Sequence, residues 1–94
     1  MTRYTVVWAS DVEAPFIQYW VDGNSQTRTA LTEIANWVDK NLSEDPGNKG
    51  RLRSDLGARV IAVELSSSSA HVSVTYEVDL DDRLVRVILL TIRD

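Results

Sequence analysis

Ser69-Ala70-His71-Val72-Ser73-Val74-Thr75-Tyr76-Glu77-Val78-Asp79-Leu80-Asp81-Asp82-Arg83-Leu84-Val85-Arg86-Val87-Ile88-Leu89-Leu90-Thr91-Ile92-Arg93 is the stretch whose reading decides the fold. From His71 to Asp79, Val72, Val74, Tyr76 and Val78 alternate with polar His71, Ser73, Thr75, Glu77 and Asp79, the period-2 mark of a strand with one buried face. Leu80 to Asp82 supplies a turn. Leu84 to Ile92 follows, apolar on both parities in its second half, which predicts a strand covered on both faces near the middle of a sheet. The hairpin is the expected spine of the fold.

Upstream of it, Ala58 to Leu65 alternates Ile61, Val63 and Leu65 against Val60, Ala62 and Glu64, another strand. Ser66 to Ser69 is a serine loop with no histidine and acid arranged around it to suggest a nucleophile. Arg3 to Ala9 alternates Tyr4, Val6 and Trp8 against Arg3, Thr5 and Val7 and predicts an opening strand. Ser10 with Glu13 fits a capping box, and a helix start at Asp11 or a little later keeps Pro15 in the first turn. Ser25 is the expected N-cap of a longer helix to about Glu44, with Leu31, Ile34, Ala35, Val38 and Leu42 at helical spacing. The two helices read as an αα-hairpin, and Asp45-Pro46-Gly47-Asn48 as a stop and turn. The expected fold class is α+β in the order β-α-α-β-β-β, one domain over residues 1–94, an antiparallel sheet packed against the helix pair.

The totals exclude several chemistries. Ninety-four residues, 44% hydrophobic, suffice for one small core. There is no cysteine and one histidine, so thiolate and multi-histidine metal sites are ruled out. The N-terminus lacks a secretory pattern and no window is apolar enough to span a bilayer, so a cytoplasmic protein with no membrane contact is expected. A net charge of −4 is the wrong global sign for gripping a phosphate backbone, so any nucleic-acid contact must rest on a local basic patch. Lys49, Arg51, Arg53 and Arg59 place four of the ten basic residues within eleven positions. They are the candidate phosphate contacts; the alternative is a solvated loop paired with Asp45, Asp55 and Glu64.

Element order and lengths, the opening strand Tyr4 to Trp8, the helix pair, the Asp45-Pro46 stop with its basic loop, and the closing Val74 to Val87 pattern together resemble the RelE/ParE superfamily of small bacterial toxins. The resemblance implies the toxin-like half of a type II toxin–antitoxin pair, with a cognate antitoxin as partner. It implies either ribosome-dependent mRNA cleavage, as in the RelE branch, or inhibition of a protein target such as gyrase, as in the ParE branch. No cofactor or metal belongs to that chemistry; positive side chains stabilise the developing phosphorane. Carried over by position, Arg51, Arg53 and Arg59 match the basic segment around the second strand, and Arg93 the basic residue after the last. The nuclease branch also has a tyrosine or histidine near its C-terminus and further lysines on the second strand. Here Arg93 and Asp94 close the sequence and Ile61 and Val63 occupy that strand, so the catalytic group is expected to be missing. The alternative is a non-catalytic interaction module on the same fold, perhaps homodimeric.

Other residues have sharper and plainer readings. His71 is a candidate general base because an imidazole titrates near neutrality, or an exposed strand residue. Tyr76 shares parity with Val72, Val74 and Val78 and is expected in the core. Glu77, Asp79, Asp81 and Asp82 read as solvated acids of a turn rather than a cation site. Trp8, Trp20 and Trp37 are expected in the core, with Trp20 the candidate interface anchor.

Overall fold

Strand β1 (Thr5–Trp8), helices α1 (Ser10–Asp22) and α2 (Ser25–Leu42), a 3-10 turn (Pro46–Asn48) and strands β2 (Arg51–Arg53), β3 (Ala58–Val63), β4 (His71–Asp79) and β5 (Leu84–Arg93) follow one another along the chain. The computed structural model describes residues 3–55, 57–66 and 70–93. Ser67, Ser68 and Ser69 of the serine loop lie outside the described residues. The sheet order is β1-β5-β4-β3-β2, antiparallel over β2 to β5, with β1 added parallel to β5. The longest strand of the expected spine, β5, therefore lies between β1 and β4, and β4 is central.

The two-parity apolar run in β5 has a different origin from burial on both faces. Val74 pairs with Leu90 and Thr75 with Leu89, but Tyr76 pairs with Val87, which leaves Ile88 as a bulge. The extra residue switches parity. Val85 and Val87 face the helices before it, Leu90 and Ile92 lie on that same face after it, and Leu89 stays 53% exposed on the other. Thus a continuous apolar run here encodes one buried face with a register shift.

The helices cover that face. Leu31, Ile34, Val38 and Leu42 of α2 recur every three or four residues, so they share a stripe, and all four are buried against Val63, Val72, Val74, Tyr76, Val85 and Val87. Each contributes about 1.5 to 3 kcal/mol on burial before chain entropy is subtracted. The cap of α2 is Asn24, one residue before the expected Ser25; its side chain accepts from the Thr27 amide at 2.9 Å.

Helix α1 begins at Ser10 without a side-chain cap, so Ser10 and Glu13 do not form the expected box. Its start is fixed by the sheet instead: the Ala9 amide donates to Val87 O, while the Val12 and Glu13 amides donate to Ala9 O, all at 2.9 Å. With the helix held there, Pro15 falls past the first turn. Only Val12 of α1 is buried; Phe16 packs on Trp8 with ring centroids 5.1 Å apart. Trp20 is 40% exposed rather than in the core, and Ile17, Tyr19 and Val21 are exposed beside it. Arg28 explains why Trp20 is held there: its guanidinium lies 5.8 Å from the indole and donates to the Trp20 and Val21 carbonyls that end α1.

Candidate nucleic-acid interface

The segment expected to be a polar loop contains an edge strand. β2 pairs with β3 through Arg51↔Val60, Leu52↔Arg59 and Arg53↔Ala58. Gly50 makes the pairing reachable, since it sits at φ 69° and a Cβ there would meet Val60 O at 2.6 Å. Gly50→Ala is expected to cost about 1 to 3 kcal/mol and to loosen β2, measurable as a lower urea midpoint and faster amide exchange at Arg51 and Arg53. An unchanged midpoint would contradict this.

Strand pairing sorts the candidate arginines. Arg51 and Arg53 share a face with Val60, whereas Arg59 lies opposite Tyr76 on the helix-covered face. Arg59 Nη1 donates to Lys49 O at 3.2 Å, and Lys49 Nζ donates to Asn41 O at 2.6 Å, near the C-terminus of α2. Both cations thus hold the 46–49 turn. Arg53 makes a two-point ion pair with Asp55, at 2.9 and 3.1 Å. The hydrogen bond and then the charge of Asp55 raise the guanidinium above its ordinary value, but the two side chains are 49% and 62% exposed, so water screens the pair.

Arg93 lies elsewhere. It pairs with His71, while Arg59 pairs with Tyr76, five residues along β4, or roughly 17 Å at the rise of a strand. The bulge places Arg93 on the helix-free face, the same face as Arg51 and Arg53. Arg86, on this face opposite Glu77, was not singled out from the sequence, although its position between Val85 and Val87 marks it as outward. The structure therefore spreads Arg51, Arg53, Arg86 and Arg93 over one open face and withdraws Arg59 and Lys49 from it.

Tyr76 is the pin beneath that turn. It is fully buried, and its hydroxyl reaches Pro46 O at 2.9 Å and Lys49 O at 2.7 Å, two carbonyls sharing one donated proton. Burial pushes the phenol above its ordinary value of 10, with the Arg59 charge pulling the other way. A raised native value means the folded state holds its proton more tightly than the unfolded chain. The stabilisation is complete below about pH 10 and is lost as pH rises through the native value. Urea midpoints measured from pH 9 to 11.5 are expected to fall more steeply for the native chain than for Tyr76→Phe; parallel curves would refute the assignment.

The acidic turn is organised internally, with the Asp82 amide donating to Asp79 Oδ1 at 3.0 Å and Arg83 at φ 53°. Among the described residues no three histidine or carboxylate groups converge as a metal cage, and no helix is long and apolar enough to cross a membrane.

No sequence-family profile and no curated protein matches the chain. Solved structures do. A chain of the toxin–antitoxin complex RelBE2 from Mycobacterium tuberculosis is similar at TM-score 0.69 and 16% identity, over 99% of this chain and 94% of that one. A free-state mutant of the E. coli toxin RelE is similar at TM-score 0.65 and 16% identity, over 94% and 81%. A chain of the chromosomal ParDE system from P. aeruginosa is similar at TM-score 0.70 and 18% identity, over the full length of both. At such identities the likeness is one of fold.

Proposed function

We propose that this chain, whose fold is of the RelE/ParE type, is the toxin-like component of a bacterial type II toxin–antitoxin system and works in the cytoplasm. The observation that carries the reading is the match of fold along essentially the whole chain, combined with a helix-free face bearing Arg51, Arg53 and Arg93. Fold alone does not carry function, so the arginines matter. Guanidinium groups on an exposed sheet face can bind phosphodiesters and stabilise the charge that develops on phosphorus during cleavage.

A cognate antitoxin would supply the missing cover for α1. Ile17, Tyr19, Trp20 and Val21 are exposed on the last two turns, and a groove of about 720 Å³ runs beside Tyr19, lined by Phe16, Leu31, Leu90 and Ile92 together with Asp11, Thr27 and Thr91. Apolar patches of this kind on a small domain mark contact surfaces. Two targets remain within the reading, mRNA on the ribosome and a protein such as gyrase. They are separated by one comparison: after brief induction, transcripts cut at ribosome-covered codons support the first, whereas intact transcripts with impaired DNA supercoiling support the second. The absence of both effects, in cells that make the folded protein, would overturn the proposal.

A further inference from the structure

The helix-free face is polarised along its strands, and its two ends complement each other. At one end a cleft is lined by Glu77, Asp79, Asp81 and Arg86, three carboxylates to one guanidinium. At the other end His71 and Arg93, directly opposed across β4 and β5, line a cleft that no carboxylate lines. Between the ends lies an uncharged band, in which Thr75 pairs with Val60 on one side and Leu89 on the other, and Ser73 with Ala62 and Thr91. Leu89 is 53% exposed in that band, on the side of the sheet away from the helices.

The spacing makes the pattern symmetric. His71 lies four residues before Thr75 and Asp79 four after it, so each charged end is roughly 13 Å from the band at the rise of a strand. Two copies laid face to face are related by a two-fold axis in the plane between them. With the axis across the strands, along the Val60–Thr75–Leu89 row, the His71–Arg93 end of each copy lies over the Asp79–Asp81 end of the other, and Leu89 meets its own mate. With the axis along the strands, carboxylates lie over carboxylates. Charge therefore selects the first arrangement. Arg51, at the outer end of the row on edge strand β2, also meets its mate, but there it is exposed and water screens the repulsion.

We propose that the helix-free face is a self-complementary docking surface whose occupant is a second copy of this chain, stacked antiparallel across Leu89. Sheets packed face to face sit about 10 Å apart, so the long Arg93 side chain reaches toward the carboxylates of the partner's Asp79 and the partner's Asp81. The face measures about 26 Å along β4 and about 20 Å across four strands, roughly 500 Å² on each copy and about 1,000 Å² in total. That is the lower limit of a specific interface, so the dimer is weak and dissociates on dilution. Leu89 and Val60 supply the apolar contact, while the charges at the ends set orientation more than affinity. The helices lie on the other side of the sheet, so pairing leaves α1 uncovered. Pairing covers Arg93, so the dimer and any other anionic ligand of that face exclude each other.

Sedimentation equilibrium of the full chain at neutral pH and low salt, from about 5 to about 500 μM, is expected to follow a monomer–dimer equilibrium. Over the same range the amide NMR signals of Ser73, Leu89 and Thr91 are expected to move with concentration. Leu89→Asp sets two carboxylates against each other at the axis, and Arg93→Glu sets a carboxylate against the acidic end. Each is expected to raise the dissociation constant about tenfold or more, in a chain confirmed as folded by its amide spectrum. Adding Asp81→Arg to Arg93→Glu exchanges the charges and is expected to tighten the dimer again by about threefold or more. A native chain that stays monomeric at the highest concentration, or Leu89→Asp dimerising like the native chain, would overturn the proposal. Concentration-dependent signals confined to Ile17 and Trp20 of α1, or a charge-exchanged variant as weak as Arg93→Glu alone, would do the same. Growth arrest is scored separately: arrest by a chain that stays monomeric sinks the dimer and spares the toxin reading, whereas a dimer without arrest does the reverse.

Discussion

Replacing Arg51, Arg53 and Arg93 together by alanine is expected to abolish growth arrest while leaving the folded state intact. All three are exposed on the helix-free face, and the one ion pair they make among the described residues, Arg53 with Asp55, is screened by water. Removing them therefore takes away three of the four guanidinium groups on that face, leaving only Arg86 opposite Glu77, without opening the core. Arg59→Ala should behave in the opposite way. Its guanidinium supports the Lys49 carbonyl beneath the sheet, so its loss should lower stability by about 1 kcal/mol and affect arrest only through the amount of folded protein. The check is a growth curve beside a urea titration for each variant. Full arrest by the triple variant would remove the open-face arginines from the account.

Tyr76→Ala should come close to unfolding the protein. Truncating a fully buried aromatic side chain costs about 3 to 5 kcal/mol, against a total of roughly 5 to 15 for a small domain. It also removes the hydroxyl that ties the 46–49 turn to β4. Tyr76→Phe separates the two contributions: it keeps the packing and should lose about 1 kcal/mol, because Lys49 O still accepts from Arg59 and Pro46 O from the Lys49 amide. A Tyr76→Ala midpoint close to that of Tyr76→Phe would mean the ring contributes little, contrary to its place at the centre of the core.

Most of the architecture was legible because its signals are periodic. Val72 to Val78 alternate on one strand, and Leu31 to Leu42 repeat on one helical stripe, and both patterns survive in the folded core. What escaped was non-periodic. The bulge at Ile88 lets a run that is apolar on both parities serve a single face, and nothing local distinguishes that from a strand buried on both sides. β2 has three residues, Arg51-Leu52-Arg53, all exposed at a sheet edge, and its sequence looks like the polar loop around it. Trp20 was misplaced because hydrophobicity alone does not reveal that Arg28 would hold the indole at the surface.

The same limits governed the candidate site. Four basic residues within eleven positions look like one patch, but sequence proximity is not shared orientation. Once β2 is a strand, Arg51 and Arg53 face away from Arg59, and Lys49 is drawn back toward α2. Arg93 and His71 are 22 positions apart and meet only through a register that includes the bulge, so their pairing could not be read from spacing.

The central claim is that the chain is toxin-like and is held in check by a partner. The most direct test is the growth of a bacterial host on induced expression, with and without the product of the adjacent open reading frame. The account predicts arrest on expression alone and relief on co-expression, with the two proteins recovered as one complex. Normal growth in cells that accumulate the soluble, folded chain would contradict it.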